Sequence, residues 1–294
     1  MAQVLKGGPV VKALSERMSH DVEELRAQGV YPTIAILRVG DRHDDVSYEN
    51  SAIKRCRAVG VRVVTLTLPA DARQDEFDRA LSSLNNDPGV HGILMFMPLP
   101  EQLDAERARM LLSPEKDVDG ITDRSLSGVF TSTDKGFPSC TAQATMEMLH
   151  FYNIEIERKK AAIIGRSLVI GRPVAMMLMH ENATVVNCHT RTDNIPEITR
   201  EADILVVACG QLHFVGPEFT NPNQVIIDIG TDWDPEHEAI SGDVDFDRVE
   251  PHVRAISPVP GGVGRITTCV LVSHVIEAAR RYAKRQPLYA EATK

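Results

Sequence analysis

The sequence predicts an α/β fold with two domains, each built on a parallel sheet that is covered by helices. Short apolar runs alternate with stretches of helical apolar spacing along most of the chain, which is typical of parallel sheets. The apolar run 161–164 leads into Gly165 and Gly171, a pattern typical of a strand that enters a helix through a tight turn. The length of 294 residues suffices for two ordinary domains.

The first half of the sequence predicts three helices and three strands in alternation. Apolar residues recur every three or four positions where helices are expected, at 10–28, 45–58 and 74–84. Apolar and β-branched residues dominate where strands are expected, at 33–39, 61–68 and 92–97. The stretch 114–138 is less regular and carries no predicted element.

The second half repeats this alternation. A predicted helix over 141–152 leads into strands expected at 160–164, 183–187, 204–208, 225–229 and, as a candidate fifth, 255–258. A long amphipathic helix is predicted over 269–284. Because a helix at the end of a chain usually docks, we expect it to pack on the first domain.

Composition and charge argue against several classes of function. The net charge of −9 argues against a general surface for nucleic acid or for an anionic membrane. The first residues lack the charged start and apolar core of a signal peptide, and no apolar run reaches the ~18 residues of a membrane helix. The cysteines form no CxxC pair, so we expect reduced thiols in a cytoplasmic protein and no metal site. They are Cys56, Cys140, Cys188, Cys209 and Cys269.

Two glycines predict a site for a nucleotide. Gly165 ends a predicted strand, and Gly171 with Pro173 begins the next helix. Glycine lets the backbone approach a pyrophosphate, and the free N–H groups at a helix start attract its negative charge. The spacing differs from GxGxxG, so an ordinary strand, turn and helix with a glycine at each end is the alternative.

The end of the following strand favours NADP over NAD. An NAD site usually carries Asp or Glu there to bind the ribose hydroxyls. This chain has Asn187, Cys188 and His189 at that point, without an acid. Arg166 and Arg191 could face the 2′-phosphate of NADP, which suits the guanidinium fork. The alternative is that both arginines are only solvated.

Four motifs resemble those of one enzyme family. They are Pro98-Leu99-Pro100, Asp117-Val118-Asp119-Gly120, the loop from Gly165 to Pro173, and Pro258-Val259-Pro260-Gly261-Gly262-Val263-Gly264. Together they resemble the methylenetetrahydrofolate dehydrogenase/methenyltetrahydrofolate cyclohydrolase (FolD) family. The likeness extends from Leu37 to the last helix.

The resemblance implies two α/β domains with a cleft between them. Residues 1–139, completed by the C-terminal helix 270–294, would form the folate-binding and catalytic domain, and 140–269 a Rossmann-like NADP-binding domain. The implied reaction is hydride transfer from 5,10-methylenetetrahydrofolate to NADP. In many members hydrolysis of the methenyl product to 10-formyltetrahydrofolate follows. A homodimer is also implied.

The same resemblance assigns the residues of the site. The implied cofactor-binding residues are Gly165, Arg166, Ser167, Gly171, Pro173, His189, Arg191, Cys209, Gly210 and Thr267. The implied substrate-binding residues are Tyr48, Pro98, Leu99, Asp119, Gly261 and Gly262.

Tyr48 and Asp119 are the predicted catalytic residues. Tyr48 matches the family's tyrosine, which stacks on the aminobenzoyl part of folate; the alternative is an aromatic ring of the core. Asp119 matches the family's acid that binds the pterin, whose 2-amino and ring N–H groups present two parallel donors to a carboxylate. The alternative for Asp119 is a turn former before Gly120.

Two positions depart from the family's pattern in a way that bears on the chemistry. The family has a lysine four residues after the tyrosine, on the same helix face, where this chain has Ala52. The nearest lysine, Lys54, is two residues further on and so lies roughly 200° around a regular helix from the Ala52 position. The family's glutamine that positions the lysine is replaced by Phe96. Arg265 replaces a family proline, and it could face the folate tail, the cofactor phosphate or solvent.

These departures predict a dehydrogenase with weak or no cyclohydrolase activity. Hydride transfer depends mainly on positioning, whereas hydrolysis of the methenyl ring requires an acid–base group, which alanine cannot supply. A separate cyclohydrolase would then act in the same pathway. The alternatives are a bifunctional enzyme that uses Lys54 or a water chain, a folate- or nucleotide-binding protein without turnover, and an unrelated dehydrogenase of the shikimate type.

Overall fold

The computed structural model describes residues 1–285, which divide into two compact units. The first unit contains residues 14–128, 134–137 and the chain from Leu271 onwards. The second unit contains residues 1–13, 129–133 and 138–270. The part of the predicted C-terminal helix beyond Arg285 lies outside the described residues. The predicted boundaries at residues 139 and 270 separate a folate-binding from an NADP-binding domain. They stay a prediction.

The strands are, in chain order, β1 Gln3–Val4, β2 Thr33–Val39, β3 Arg62–Leu68, β4 Gly92–Met95, β5 Lys160–Ile164, β6 Thr184–Cys188, β7 Ile204–Val207, β8 Val225–Asp228, β9 Asp232–Asp234, β10 Ala239–Ser241 and β11 Ala255–Ile256. The α-helices are α1 Gly7–Ala27, α2 His43–Val59, α3 Gln74–Asn86, α4 Ala105–Leu111, α5 Asp123–Thr131, α6 Cys140–Phe151, α7 Gly171–His180, α8 Ile195–Arg200, α9 Phe246–Val249 and α10 Thr267–Arg285. No helix among the described residues is both long and apolar enough to cross a membrane.

The first unit contains a three-stranded parallel sheet in the order β3–β2–β4. Its central strand β2 is buried apart from Arg38, as expected for a parallel strand that is covered on both faces. β4 ends two residues earlier than predicted. The Phe96 N–H still donates to the Leu37 carbonyl at 3.3 Å, and pairing stops before Pro98, which has no N–H to donate.

A helix that the sequence does not predict, α5, lies in the irregular stretch 114–138; its residues 123–128 belong to the first unit and 129–131 to the second. Its buried residues are Ser125 and Gly128. The helical spacing of Leu126, Val129 and Phe130 (i, i+3, i+4) was a signal for this helix that the sequence analysis overlooked. A Cβ atom on Gly128 would lie 2.0 Å from the carbonyl oxygen of Lys135, which explains why this side of the helix is small. Thr122 caps the helix start, because its hydroxyl accepts the N–H of Ser125 at 3.2 Å.

The second unit contains a six-stranded parallel sheet in the order β1–β11–β8–β7–β5–β6. The chain runs from β5 to β6 on one side and then to β7 on the other side of β5, so the strand order reverses between β5 and β7. Ligands of open α/β sheets bind beside the carboxyl ends of the strands at such a switch point. The predicted α/β class with two parallel-sheet units is confirmed. β1 and the antiparallel hairpin β9–β10 were not predicted.

His274 anchors α10 to the loop after β4 within the first unit. Its Nδ1–H donates to the Val118 carbonyl at 2.8 Å, and its ring lies 4.9 Å from the Phe137 ring, measured between centroids. Burial lowers the pKa of His274 to about 4. The imidazole is therefore neutral at pH 7.

We predict that His274 makes the protein sensitive to acid. The unfolded histidine titrates near pH 6.5 and the folded one near pH 4, so the unfolded chain binds more protons between these values. The contribution of His274 is complete above pH 6.5 and falls by about 3 kcal/mol as the pH drops to 4. In urea unfolding at pH 7 and pH 4.5, His274→Asn should lose about 2 kcal/mol less stability than the wild type between the two pH values.

The matched control is His43→Asn, whose side chain is 98% exposed and which removes one titratable histidine without touching the core. It should lose the same stability as the wild type between the two pH values. Equal losses for all three proteins would contradict the assignment of this acid sensitivity to His274.

Candidate active site

The turn at the switch point of the second unit has no room for side chains on its glycines. A Cβ atom on Gly165 would lie 2.2 Å from the carbonyl oxygen of Ala208, and one on Gly171 would lie 2.1 Å from the carbonyl oxygen of Gly165. Gly165 also has φ of +129°, which disfavours any other residue. The ends of β5 and β7 therefore meet the start of α7 at backbone contact. This is the close approach that a dinucleotide pyrophosphate requires.

Three side chains hold this turn in shape. The Asn187 amide donates to the carbonyls of Ile163 and Gly165 at 3.2 and 2.6 Å. The Ser139 hydroxyl donates to the Val169 carbonyl, and the Ser167 hydroxyl of the turn accepts the Ile170 N–H at 3.0 Å. Asn187 therefore has a structural task at the position where NAD sites usually carry an acid. The sequence analysis did not predict this role of Asn187, because its hydrogen bonds reach from β6 to the neighbouring strand β5 and the glycine after it.

Arg166 and Arg191 are both exposed and follow the neighbouring parallel strands β5 and β6. Within residues 1–285 neither guanidinium has a carboxylate partner. His189 shapes the second of these two turns, since its ring Nδ1 accepts the Arg191 N–H at 3.1 Å and its own N–H donates to Thr192 at 3.0 Å. Two uncompensated positive charges at one edge of the sheet fit a phosphate group.

A buried carboxylate organises the loop after β7. Asp243 accepts the N–H groups of Cys209, Gly210 and Gln211 at 2.7, 3.0 and 2.8 Å. Burial and the nearby Asp243 charge raise the pKa of the Cys209 thiol to about 12, so the thiol stays neutral and is a poor nucleophile. The sequence analysis assigned Cys209 and Gly210 to the cofactor but did not identify Asp243.

Asp228 lies next to Asp243 at the end of β8. It accepts the N–H groups of Gly230 and Val244, each at 3.0 Å. Burial raises the pKa of Asp228 to about 7. A Cβ atom on Gly242 would lie 1.9 Å from the Asp228 carboxylate, so glycine is required there for the two acids to share this space.

The predicted Gly261–Gly262 loop packs against the start of α1, within the second unit. The Gly7 N–H donates to the Gly261 carbonyl at 2.8 Å. A Cβ atom on Gly262 would lie 2.5 Å from the carbonyl oxygen of Pro258, and Gly261 has φ of +109°. Thr267, at the start of α10, donates its hydroxyl to the Gly264 carbonyl at 3.1 Å.

Helix α2 carries Tyr48, one of the predicted folate-binding residues of the first unit. The half-buried Tyr48 meets Phe96 edge to face, with ring centroids 6.0 Å apart. Ala52, one turn later, is completely buried. Lys54 is exposed on the same uninterrupted helix.

An ion pair behind Tyr48 fixes the helix to the sheet. The Arg38 guanidinium, at the end of β2, binds the Glu49 carboxylate at 2.6 Å, and both side chains are about nine-tenths buried. Arg42 donates to the Pro98 carbonyl at 3.3 Å, which ties the start of α2 to the predicted substrate residues Pro98 and Leu99. The sequence analysis missed this pair, although an arginine inside an otherwise apolar strand was a usable signal.

Asp119 is presented by a loop that a second acid holds. The fully buried Asp117 accepts the N–H groups of Ile121 and Thr122 at 3.0 and 2.8 Å and the Ser125 hydroxyl at 2.6 Å. Asp117 also forms a parallel bridge to Ile93 of β4. Asp119, two residues on, therefore lies toward the carboxyl end of β4, the end at which Phe96 and Pro98 follow. Gly120 completes the turn with φ of +71°.

Neither unit offers a metal site in the part of the chain that is described: no group of three or more His, Cys, Asp or Glu side chains could hold an ion. The first unit presents an aromatic ring and a carboxylate, and the second presents glycine turns and two arginines.

Comparison with known proteins agrees with a folate-binding first unit and a nucleotide-binding second unit. Residues 5–119 match the tetrahydrofolate dehydrogenase/cyclohydrolase catalytic domain, and 139–283 match the NAD(P)-binding domain of the same family. A bifunctional protein FolD of Carboxydothermus hydrogenoformans is 46% identical over 279 residues, which cover 95% of this chain and 97% of the relative. One of Desulfitobacterium hafniense is 42% identical over 280 residues, which cover 95% and 99%.

Solved structures agree as well. The bifunctional FolD of Campylobacter jejuni superimposes with a TM-score of 0.92 at 31% identity, covering 96% of this chain and 99% of the other. The FolD of Trypanosoma brucei, solved with NADP and an inhibitor, has a TM-score of 0.89 at 32% identity, covering 97% and 99%. The predicted dehydrogenase class and the predicted NADP cofactor are confirmed. The chain belongs to the tetrahydrofolate dehydrogenase/cyclohydrolase family.

Proposed function

We propose that this protein oxidises 5,10-methylenetetrahydrofolate with NADP and has weak or no cyclohydrolase activity. The observation that carries the second part is the replacement of a lysine and a glutamine by Ala52 and Phe96, of which the first is completely buried. The FolD relatives are named bifunctional, which favours the alternative that this chain also forms 10-formyltetrahydrofolate.

On the folate side, Tyr48 and Asp119 bind and orient the substrate. The Tyr48 ring offers a face for the aminobenzoyl group, and the Arg38–Glu49 pair keeps that part of α2 in place. Asp119 accepts two parallel donors from the pterin, because a carboxylate has two acceptor oxygens in one plane. Binding at both ends holds the methylene carbon in one position, which is what hydride transfer requires from the protein.

On the cofactor side, the glycine turns and the two arginines hold NADP. NADP, when bound, supplies the hydride acceptor. Gly165 and Gly171 leave the first turn of α7 open to the pyrophosphate. Arg166 and Arg191 neutralise the 2′-phosphate, and Asp243 fixes the backbone of the Cys209–Gly210 loop.

Hydrolysis of the methenyl product needs an acid–base group, and the lysine that would supply it in the family is replaced here by Ala52. Activating water and moving protons as the ring opens calls for a group that titrates within the site. The Ala52 methyl group cannot do so. Glu49, one residue after Tyr48, is neutralised by Arg38, and Lys54 is exposed.

The test of the proposal follows two signals with purified protein, 5,10-methylenetetrahydrofolate and NADP⁺. We expect NADPH to form and the methenyl absorbance to rise in step with it. The control without enzyme gives the rate of spontaneous hydrolysis. Loss of methenyl faster than in this control would contradict the missing cyclohydrolase, while absence of NADPH would contradict the dehydrogenase.

A second experiment restores the missing pair. We expect Ala52→Lys with Phe96→Gln to raise methenyl hydrolysis at least tenfold, because about 1.4 kcal/mol of barrier corresponds to tenfold in rate and general acid–base groups contribute more than this. The matched control is Ser51→Lys with Phe96→Gln, which places the lysine at the neighbouring exposed position. Equal hydrolysis by the two variants would mean that the position of the lysine is irrelevant and would contradict the account.

The assignment of Arg166 and Arg191 to the 2′-phosphate has its own test. Removing a charge-assisted hydrogen bond costs about 1.5–3 kcal/mol. Arg191→Ser and Arg166→Ser should each therefore lower the ratio of kcat/KM for NADP⁺ to that for NAD⁺ about 10- to 100-fold, chiefly through KM.

The control for these variants is Arg254→Ser. Arg254 is exposed and precedes β11, at the opposite end of the sheet. It should leave the ratio unchanged. An unchanged ratio in both test variants would show that the two arginines do not contact the phosphate.

We further propose that the protein is a cytoplasmic homodimer and that a separate cyclohydrolase consumes its methenyl product. These statements rest on the family resemblance and on the proposed loss of hydrolysis.

A further inference from the structure

A cavity lies in the first unit at the amino end of β4, away from the candidate active site. Its volume is about 150 Å³ and it opens to solvent. We call it the His91 cavity, and its basic lining consists of His91, Lys116, Arg124, Lys135, Arg281 and Arg285. Only two acidic residues line it, Glu115 and Asp134. This excess of positive charge stands out in a chain whose net charge is −9.

Three of the five lysines and arginines that line the His91 cavity form no ion pair among the described residues: Lys116, Arg124 and Lys135. Lys116 donates to the carbonyls of Leu84 and Asp87, at 3.1 and 2.6 Å, and burial lowers its pKa. Arg124 and Lys135 are exposed at the cavity, and neither side chain has a partner within residues 1–285.

The remaining two cations of the His91 cavity are held in place. Arg285 pairs with Glu115 at 2.7 Å. Arg281 binds Glu277 at 3.1 Å, donates to the Gly136 carbonyl at 2.9 Å and stacks on the Phe137 ring. One wall of the cavity is therefore preorganised, which lowers the entropy cost of binding an anion there.

His91 supplies an unsatisfied polar group at the same place. The residue is only 7% exposed, and its Nδ1 atom is buried without a hydrogen-bond partner among the described residues. Its ring meets the Tyr282 ring edge to face, with centroids 5.2 Å apart. Buried polar atoms nearly always have partners, so an unpaired one that lines a charged cavity points to a missing ligand or water.

The His91 cavity is separate from the predicted folate residues. His91 precedes β4, whereas Phe96 and Pro98 follow it. Five residues of extended chain separate His91 from Phe96, which corresponds to roughly 17 Å. No residue assigned to folate or NADP lines the cavity.

We propose that the His91 cavity is a binding site for a small anion that carries phosphoryl groups. Arginine and lysine side chains around a pocket of this volume match the charge and size of a phosphoryl group, and the open side leaves room for the rest of such a ligand. Neither the oxidation of methylenetetrahydrofolate nor the binding of NADP uses this site.

The test is calorimetric titration of the whole protein with inorganic pyrophosphate. Saturating NADP⁺ is present throughout, so that the nucleotide site is filled. We expect one pyrophosphate per chain to bind. Arg124→Gln with Lys135→Gln should weaken this binding at least tenfold, while citrate at equal ionic strength should bind at least tenfold more weakly to the wild type.

The matched control is Lys12→Gln with Arg57→Gln, which removes one exposed lysine and one exposed arginine away from the cavity. It should change pyrophosphate binding less than twofold. The proposal is overturned if the wild type does not bind, if both double variants weaken binding equally, or if citrate binds as well as pyrophosphate.

A spectroscopic readout locates the ligand independently. The ring nitrogen signals of His91, assigned with His91→Gln, should shift on addition of pyrophosphate to the NADP-saturated wild type. Binding that leaves these signals in place would assign the pyrophosphate to another site and overturn the proposal. Both measurements are independent of turnover, so they stand whether or not the cyclohydrolase is present.

Discussion

The hydrogen bonds to the Asp243 carboxylate are the interaction on which the loop geometry of the NADP-binding unit depends. Three consecutive N–H groups of the loop after β7 donate to this carboxylate, which is completely buried, where hydrogen bonds are stronger than in water. Asp228, at the end of β8, receives further N–H groups from the chain around Asp243. The two acids thereby fix the loops that follow the adjacent strands β7 and β8. Their carboxylates occupy the space that a side chain at Gly230 or Gly242 would need.

In the folate-binding unit another buried carboxylate, that of Asp117, fixes a loop in the same way. Asp117 collects two N–H groups and a hydroxyl within nine residues of chain and so fixes the loop that exposes Asp119. His274 grips the intervening Val118 carbonyl from α10. A buried carboxylate is costly unless donors surround it, so such loops have one stable arrangement. In each unit one loop that carries a group proposed to bind a ligand is rigid for this reason: the Cys209–Gly210 loop and the loop of Asp119.

The sequence predicted the parts of this molecule that local patterns encode. Apolar runs placed β2 and β5 at their observed ends, and the glycine spacing located the switch-point turn. Helix α5 was missed although Leu126, Val129 and Phe130 have helical spacing, because its buried residues, Ser125 and Gly128, are not apolar. Asp243 and Asn187 were missed because their partners lie 32 to 34 and 22 to 24 residues away, and only the folded sheet brings them together. The spacing of Asp117, Thr122 and Ser125 was a local signal that was overlooked.

Oxidation of the substrate and hydrolysis of the methenyl product need different groups from the protein. The replacements at Ala52 and Phe96 affect only the groups that hydrolysis needs. Hydride transfer needs substrate and cofactor held still, which the acid-locked loops and the Arg38–Glu49 pair provide. Hydrolysis needs a titrating group as well, and a lysine beside Tyr48 would have to be desolvated and held by a polar neighbour. Losing only the lysine would leave that neighbour unpaired, whereas Ala52 and Phe96 together leave two apolar side chains without such a cost. The paired replacement is therefore a change of low energetic cost that fits the proposed loss of hydrolysis, with the oxidation kept.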